Sequence, residues 1–503
     1  MTVRSVASWI VAVLVGVAAL AFGSVEHWAS AWLLCFALLA AAVGLWNDDP
    51  RTVLRSPAVA VVLPAVLLVV WGVFQSFPMP RPVVRLLSPK TARLQEEAVP
   101  EGGGRALPSW LLSQAGAHGV TLEPGASLPP GPDDPGDRAA RSSLSVDPGA
   151  TRGACLAWLV PLLLVVVAER VSRDPSTRYR LLWAVAGWTG LLGAIAVAQR
   201  VAWNGRLLWF RETPPDADPL GPFVNPNHFA GYVEMGVLVV IGLLLAILGG
   251  GDGRLSRANL RAALLDRAWA LPRLLLLGGI TVLALCGMIL SGSRGGMLAF
   301  LVGVAVLLPS RKLRGLLAAA TIVVLVVGLA VGLASWLGPE VKTLQTGLFS
   351  EGLRDPSMAM RSDMWGRTWQ ILADHPVTGT GLGTFARAYA RYDREGEWLG
   401  TRWAHNDFLQ LASETGFVGA ALSIWLVAAV GRRVLLPALR PVAPARTRWT
   451  TAGLAAAVFA MLVHSTVDFS LQIPAVATLF GVLGGMLVAA AADPAPAAEQ
   501  AAS

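Results

Sequence analysis

Cysteine and charge are both scarce in this chain. Of its 503 residues only 3 are cysteine, and only 14% are charged, against 54% hydrophobic. Cys35, Cys155 and Cys286 all fall inside apolar segments. That placement excludes a disulfide framework and offers no Cys/His zinc spacing, so the three read as small core residues. So little charge excludes an ordinary soluble globule, and several apolar runs exceed the roughly 18 residues of a bilayer span. The chain therefore reads as an all-α, polytopic membrane protein. A net charge of +8 could suggest nucleic acid. The arginines, however, mostly lie in short loops between spans, where they act as topology signals.

Apolar runs predict spans near 6–22, 28–46, 57–77, 153–170, 179–201, 229–250, 272–292, 295–310, 315–337, 405–430, 449–468 and 472–492. That is about 12 helices of the length a ~30 Å hydrocarbon core demands. The first span follows Arg4 and has the look of a signal peptide; its cleavage would leave the orientation of the rest unchanged. Basic clusters mark the inner loops: Arg51 and Arg55; Arg170, Arg173, Arg178 and Arg180; Arg254, Arg257, Arg261, Arg267 and Arg273; Arg311, Lys312 and Arg314; and Arg432, Arg433, Arg440, Arg446 and Arg448. Simple alternation of the spans puts all of them on one side, the cytoplasmic one, with both termini.

The chain then divides into N-terminal spans (1–77), a Pro/Gly-rich outer loop (78–152), a middle group of spans (153–337), a large outer loop (338–404), C-terminal spans (405–492) and a cytoplasmic tail (493–503). Loop 78–152, with its run Pro129-Pro130-Gly131-Pro132-Asp133-Asp134-Pro135-Gly136, has a composition that builds no core. It is expected to be mobile, with one short helix near Pro108–Ala115. Residues 202–228 form a further outer loop. Loop 338–404 contains a helix-like stretch, Met358–Ala373, in which Arg361, Trp365, Thr368 and Leu372 share a face. Its Trp365 and Trp369 beside charges suit the membrane interface.

Four outward features carry polar chemistry. In Asn225-Pro226-Asn227-His228-Phe229 the Asn-Pro pair makes a turn, Asn227 can cap the following helix, and His228 lies in its first turn. The plain alternative is a well-made helix start. Next, Ser291-Gly292-Ser293-Arg294-Gly295-Gly296 interrupts the apolar stretch from Leu271 to Leu308. Arg294 lies about 20 residues, or about 30 Å of helix, into that stretch, which places it at the outer interface. Its planar fork suits phosphate oxygens; the alternative is a snorkelling topology arginine. Third, Arg361 has Asp363 and Arg367 nearby, followed by Asp374-His375-Pro376-Val377-Thr378-Gly379-Thr380-Gly381-Leu382-Gly383. That glycine run lacks the lysine and the strand-to-helix setting of a phosphate loop and reads as a turn; Arg361 alone reads as a solvated charge.

Fourth, His405-Asn406-Asp407-Phe408-Leu409-Gln410-Leu411-Ala412-Ser413-Glu414-Thr415-Gly416 crowds polar groups at the mouth of an apolar helix. As a continuous helix from 405, it puts His405 on a face with Leu409, Ala412 and Gly416, beside a stripe of Asn406, Gln410 and Ser413. Glu414 then points roughly opposite to His405 and must be protonated or paired, for example with an arginine, on a neighbouring helix. His405 stands at the aqueous end, where a general base or an orienting donor is useful.

In this order the motifs resemble the O-antigen ligase and polymerase superfamily. The resemblance rests on Asn225-Pro226-Asn227-His228-Phe229-Ala230-Gly231, Ser293-Arg294-Gly295-Gly296, Arg361-Ser362-Asp363-Met364-Trp365, Asp374-His375-Pro376 and His405 to Gly416, over roughly residues 200–430. It implies a GT-C-like membrane glycosyltransferase with an undecaprenyl-diphosphate-linked glycan as donor and a glycan or glycolipid as acceptor. Such an enzyme works in the inner membrane with its site facing the periplasm, among membrane lipid and other polysaccharide assembly proteins, without nucleic acid. It implies an arginine pair on the diphosphate and a histidine serving the acceptor, which carry over to Arg294, Arg361 and His405, with Arg354 or Arg367 as substitutes for Arg361. Asn225, Asn227, His228, Ser293, Arg367 and Asn406 would complete the substrate-binding site. No cofactor is implied, and the outward segments carry no carboxylate cluster suited to magnesium.

Within this resemblance, room for two glycans in the outer loops favours a polymerase; a ligase onto a lipid A core is the alternative. From other classes, a lipid-linked glycan flippase predicts midplane charges and an internal repeat. Only Glu234 and Glu414 meet the first condition, and no repeat is evident. A scaffold without chemistry predicts that Arg294 and His405 tolerate substitution.

Overall fold

Proline opens helix after helix. Pro57, Pro89, Pro148, Pro175, Pro226, Pro356 and Pro474 each stand at a first helical position, where the missing N–H costs no hydrogen bond. The computed structural model describes residues 3–97, 105–106, 127–128, 141–213, 217–249, 255–307, 356–393, 401–436 and 445–492. Its main helices are α1 (Val3–Leu20), α2 (His27–Leu45), α3 (Pro57–Ser76), α4 (Arg81–Leu87), α5 (Pro89–Glu97), α6 (Pro148–Ser172), α7 (Pro175–Val201), α8 (Pro226–Leu248), α9 (Ala270–Leu290), α10 (Arg294–Leu307), α11 (Pro356–Asp374), α12 (Phe385–Tyr389), α13 (Asp407–Val430), α14 (Ala445–His464) and α15 (Pro474–Ala491). The described residues are all-helical apart from two ribbons of two residues per strand.

Among the described residues, nine helices are long and apolar enough to cross a membrane: α1, α2, α3, α6, α7, α8, α9, α13 with its short extension to Leu435, and α15. Of the other three expected spans, 295–310 corresponds to α10, an apolar helix of 14 residues. Span 449–468 corresponds to α14, whose first turns, Ala445-Arg446-Thr447-Arg448-Trp449-Thr450-Thr451, are too polar to qualify. Span 315–337 lies outside the described residues.

The helices are packed by small residues, as membrane helices are. On α2 the buried stripe is Ala29, Leu33, Ala37, Ala40 and Gly44, while Trp28, Trp32 and Phe36 are exposed. That inverted pattern fits a lipid solvent. Cys35 lies on the exposed side of α2, so it is not a core residue as the composition suggested; Cys155 and Cys286 are buried.

The chain forms two compact units. The first comprises 1–62, 159–354 and 427–503, and α8 is its axis. Buried all round, α8 admits its neighbours through glycines: a Cβ on Gly236 would stand 2.0 Å from Thr189, and one on Gly242 would stand 3.0 Å from Gly453. Tyr232 donates to the Val15 carbonyl at 2.9 Å, and Trp188 donates to that of Ala12 at 2.8 Å. Asp48 takes Arg170 at 2.8 Å and Arg4 at 2.6 Å. The Arg170 guanidinium holds the Asp48 carboxyl below its ordinary pKa. This cluster joins the start of α1 to the ends of α2 and α6, as alternating spans require.

The second unit comprises 63–158 and 355–426. Here the Pro/Gly-rich segment departs from expectation. Met79 and Pro80 pair antiparallel with Ser142 and Arg141, tying its two ends together. Helices α4 and α5 follow, and Met79, Val84, Ala92 and Leu144 form a small core. The apolar side chains lie near the ends of the segment, and average composition hid them. The helix expected near 108–115 lies outside the described residues. A larger core of Met364, Ile371, Phe385, Ala388, Tyr389 and Ala404 joins α11, α12 and the approach to α13.

His375, just after α11, is buried beside Thr91 Oγ1 (3.2 Å) and Ser88 Oγ (3.4 Å). Burial pushes its pKa down to about 4. Next to it, Asp374 pairs with Lys90 and accepts from the Tyr392 hydroxyl. Burial alone would raise the Asp374 pKa; these two partners outweigh it and hold it below its ordinary value.

Candidate active site

In the first unit the structure brings the Asn225–His228 and Ser293–Gly296 motifs together. Asn225, not Asn227, is the cap of α8: its side chain accepts the Asn227 amide at 2.9 Å, and Pro226 takes the first helical position. Proline is preorganised for the first helical position and holds the residue before it in extended backbone, here Asn225 at φ −112° and ψ 125°, which is why the two asparagines divide as they do. Asn227 is half-buried, and buried His228 packs edge-on against Phe469 at 4.6 Å between centroids. Phe229 fills the space left by Gly221 and Gly287.

The serine-rich segment is a tight turn between α9 and α10, where the expected spans divide. Gly292 takes φ +63°, Ser293 Oγ accepts the Gly296 amide at 3.2 Å, and Arg294 opens α10. A Cβ on Gly296 would lie 2.9 Å from Ala230 and 3.3 Å from the His464 ring. The Ser293–Gly296 turn and α8 therefore both meet a histidine that sequence reasoning missed. His464 Nδ1 shares a hydrogen bond of 3.0 Å with Glu234 Oε2, and its Nε2 lies 4.0 Å from Asp468 Oδ2. Two carboxyl groups and an imidazole, all nearly inaccessible, are costly in such a core. The available signal was His464 and Asp468 four apart at the end of an apolar run.

In the second unit the helix does not begin at His405. It begins at Asp407, and Asn406 is its cap, accepting the Leu409 amide at 3.0 Å. His405 stands before the cap in left-handed backbone, φ +49°. That conformation costs a non-glycine residue about 1–2 kcal/mol and persists where the surroundings enforce it. The restraints are visible. Trp365 Nε1 donates to the carbonyls of Ala404 (3.0 Å) and His405 (3.3 Å). Gln410 Oε1 accepts the Ala404 amide at 2.9 Å. His405 therefore shares no helix face with Leu409 and Ala412.

Glu414 finds its partners in backbone amides. Its carboxylate accepts Gly383 N–H at 2.8 Å, Phe385 N–H at 3.1 Å and Gln410 Nε2 at 3.2 Å. The glycine run thus offers a nest of backbone amides, and the carboxyl group held there is a side chain of the same unit. Gly379, Gly381 and Gly383 all have positive φ, and a Cβ at any of them would stand within 2.5 Å of another atom. Buried Gln75 braces the same loop, donating to the carbonyls of Thr378 (2.6 Å) and Glu414 (2.9 Å) and accepting the Leu382 amide (3.1 Å). At Gly416 (φ +66°) α13 kinks against the 376–379 turn, where Phe417 N–H donates to Pro376 at 2.7 Å.

Arg361 lies on α11 one turn before Trp365, and Arg367 lies two residues after it. Arg361 is half-buried, and its buried Nε makes no hydrogen bond among the described residues. Arg367 is committed to Asp363 (2.9 Å) and Asp393 (2.7 Å). Arg354 lies outside the described residues. Arg294 and Ser293 belong to the first unit, and Arg361, Arg367, His405 and Asn406 to the second. Among the described residues no group of three or more His, Cys, Asp or Glu is gathered to hold a metal ion.

Fold and polar clusters together define a multi-span α-helical membrane protein with costly buried polar groups near helix ends. Residues 279–424 match the model of the O-antigen ligase family (Wzy_C). The match holds Ser293, Arg294, Arg361, Arg367, His405, Asn406 and Glu414; Asn225, Asn227 and His228 precede it. That match, over less than a third of the chain, supports the resemblance to the O-antigen ligase/polymerase superfamily. Among curated proteins none matches the chain.

Proposed function

We propose that this protein is an inverting glycosyltransferase that moves a glycan from undecaprenyl diphosphate to an acceptor hydroxyl, as a surface-polysaccharide polymerase. The supporting observation is that the family match spans the segment holding Arg294, Arg361 and the tightly held His405. In this reading the acceptor oxygen attacks the anomeric carbon as the bond from that carbon to the diphosphate oxygen breaks. The electron pair leaves with the diphosphate, and the hydroxyl proton passes to His405. Arg294 and Arg361 stabilise the charge that develops on the leaving group, which needs no protonation and, in this reading, no metal. Ser293 and its turn present Arg294. Asn225, Asn227 and His228 border the donor side, and Asn406 borders the acceptor side. Arg367, tied to Asp363 and Asp393, supports the loop that binds substrate. The setting is the inner membrane, with both termini cytoplasmic, the site facing the periplasm, and about 12 spans in a GT-C-like scaffold.

The family model's description as a ligase favours a second reading, in which the finished glycan goes to a lipid A core. One experiment tests both. Arg294→Ala and His405→Ala are produced at equal membrane levels and the surface glycan is examined. Normal glycan in both would end the catalytic reading. Loss of chain laddering with single repeats still attached supports a polymerase; long lipid-linked chains that never reach the surface support a ligase. Unchanged transfer in isolated membranes treated with EDTA is expected.

A further inference from the structure

The reading above leaves open how a histidine outside any helix is aimed. We infer that Gln410 and Trp365 are positioning residues for His405 and that Glu414 sets the orientation of Gln410; this rests on His405 being the acceptor-side group.

The polarity of the arrangement is determined from one end. Glu414 already receives two backbone N–H groups, from Gly383 and Phe385. It therefore faces Gln410 as an acceptor and selects the NH2 end of the amide, which donates at 3.2 Å. The Gln410 carbonyl is left to face Ala404, whose N–H it accepts at 2.9 Å. Gln410 and Ala404 are both almost fully buried, so water does not compete for these bonds. Trp365 closes the other side through the carbonyls of Ala404 and His405. The peptide groups on both sides of the His405 α-carbon are thereby held. The Asn406 cap ties the next residue to α13. A side chain on such a backbone points in a direction set by residues that need never touch substrate. Aim of this kind is worth a large factor in rate, since a shift of about 1 Å costs on the order of 100-fold.

The test uses the full-length protein in native membranes, with two readouts. One is glycan transfer. The other is the rate at which His405 is carbethoxylated by diethyl pyrocarbonate, followed by mass spectrometry. Gln410→Leu and Trp365→Phe are each expected to lower transfer by about 10-fold or more and to change the His405 modification rate severalfold, at unchanged membrane level. Trp365→Phe keeps the ring packing and carries the test should Gln410→Leu fail to accumulate. If His405→Ala leaves the glycan normal, the acceptor-side reading itself fails, whatever Gln410 does. If His405→Ala abolishes transfer while the two variants leave both transfer and His405 reactivity as in wild type, the positioning inference is overturned. Loss of transfer with unchanged His405 reactivity overturns it equally, because the loss would not run through the histidine.

Discussion

The Glu414 carboxyl group accepts the Gly383 amide at 2.8 Å, so the glycine run holds a side chain of its own unit. Within the second unit this bond ties α13 to the 379–383 loop, and the glycines there are steric requirements.

Gly379 allows the sharpest test of that packing. A Cβ there would lie 2.3 Å from the Glu414 backbone at a φ of +66°. Gly379→Ala is expected to destabilise the protein by at least the ~1–2 kcal/mol of left-handed backbone, with the clash added. Gly366, within α11 and facing open space, is the control: Gly366→Ala should gain up to about 1 kcal/mol of helix propensity. Thermal unfolding in detergent reports both, and equal effects of the two changes would refute the packing argument.

His375 predicts an acid-sensitive contact. Its folded pKa, about 4, lies below the ordinary 6.5. As pH falls through that interval the unfolded chain binds the proton first, so stability is fully present above about 6.5 and declines toward 4. The total is roughly 3 kcal/mol. Protease cutting within 81–97 should therefore increase on going from pH 7.5 to 4.5. The increase should be smaller in His375→Gln; an identical acid response in that variant would refute the assignment.

The Glu234–His464 pair should behave as a buried hydrogen-bonded contact. His464→Leu alone leaves the Glu234 carboxyl group without this partner and is expected to cost about 1–3 kcal/mol. The double variant Glu234→Leu with His464→Leu should regain much of that loss. Melting temperatures of the two single variants and the double give the coupling, and strictly additive losses would mean that the residues do not interact.

Arg294 should be sensitive to the shape of its charge. Arg294→Ala is expected to lower transfer by about 10²–10³-fold, the scale of losing a transition-state donor. Arg294→Lys should recover only part, because a single ammonium cannot reproduce the planar fork. Glycan output against accumulated lipid-linked donor measures this, and full activity of Arg294→Lys would argue against bidentate recognition.

What was legible in the sequence was local. Apolar runs marked the nine described spans, and Asn225-Pro226-Asn227 marked a helix start, although the structure moved the cap from one asparagine to the other. Assumed helical periodicity misplaced His405, since the Asn406 cap starts the helix one residue beyond it. The arginine anticipated for Glu414 was replaced by two backbone amides, and side-chain patterns carry no signal for amides. Residue types and order therefore determined the membrane class, the helices and the family match over 279–424. Tertiary structure alone decided which polar groups meet. Gln75 reaches across 303 residues to Thr378, and His464 across 230 to Glu234. Local propensity sets a helix within its own turns, whereas hydrogen bonds over such separations exist only once the helices have packed.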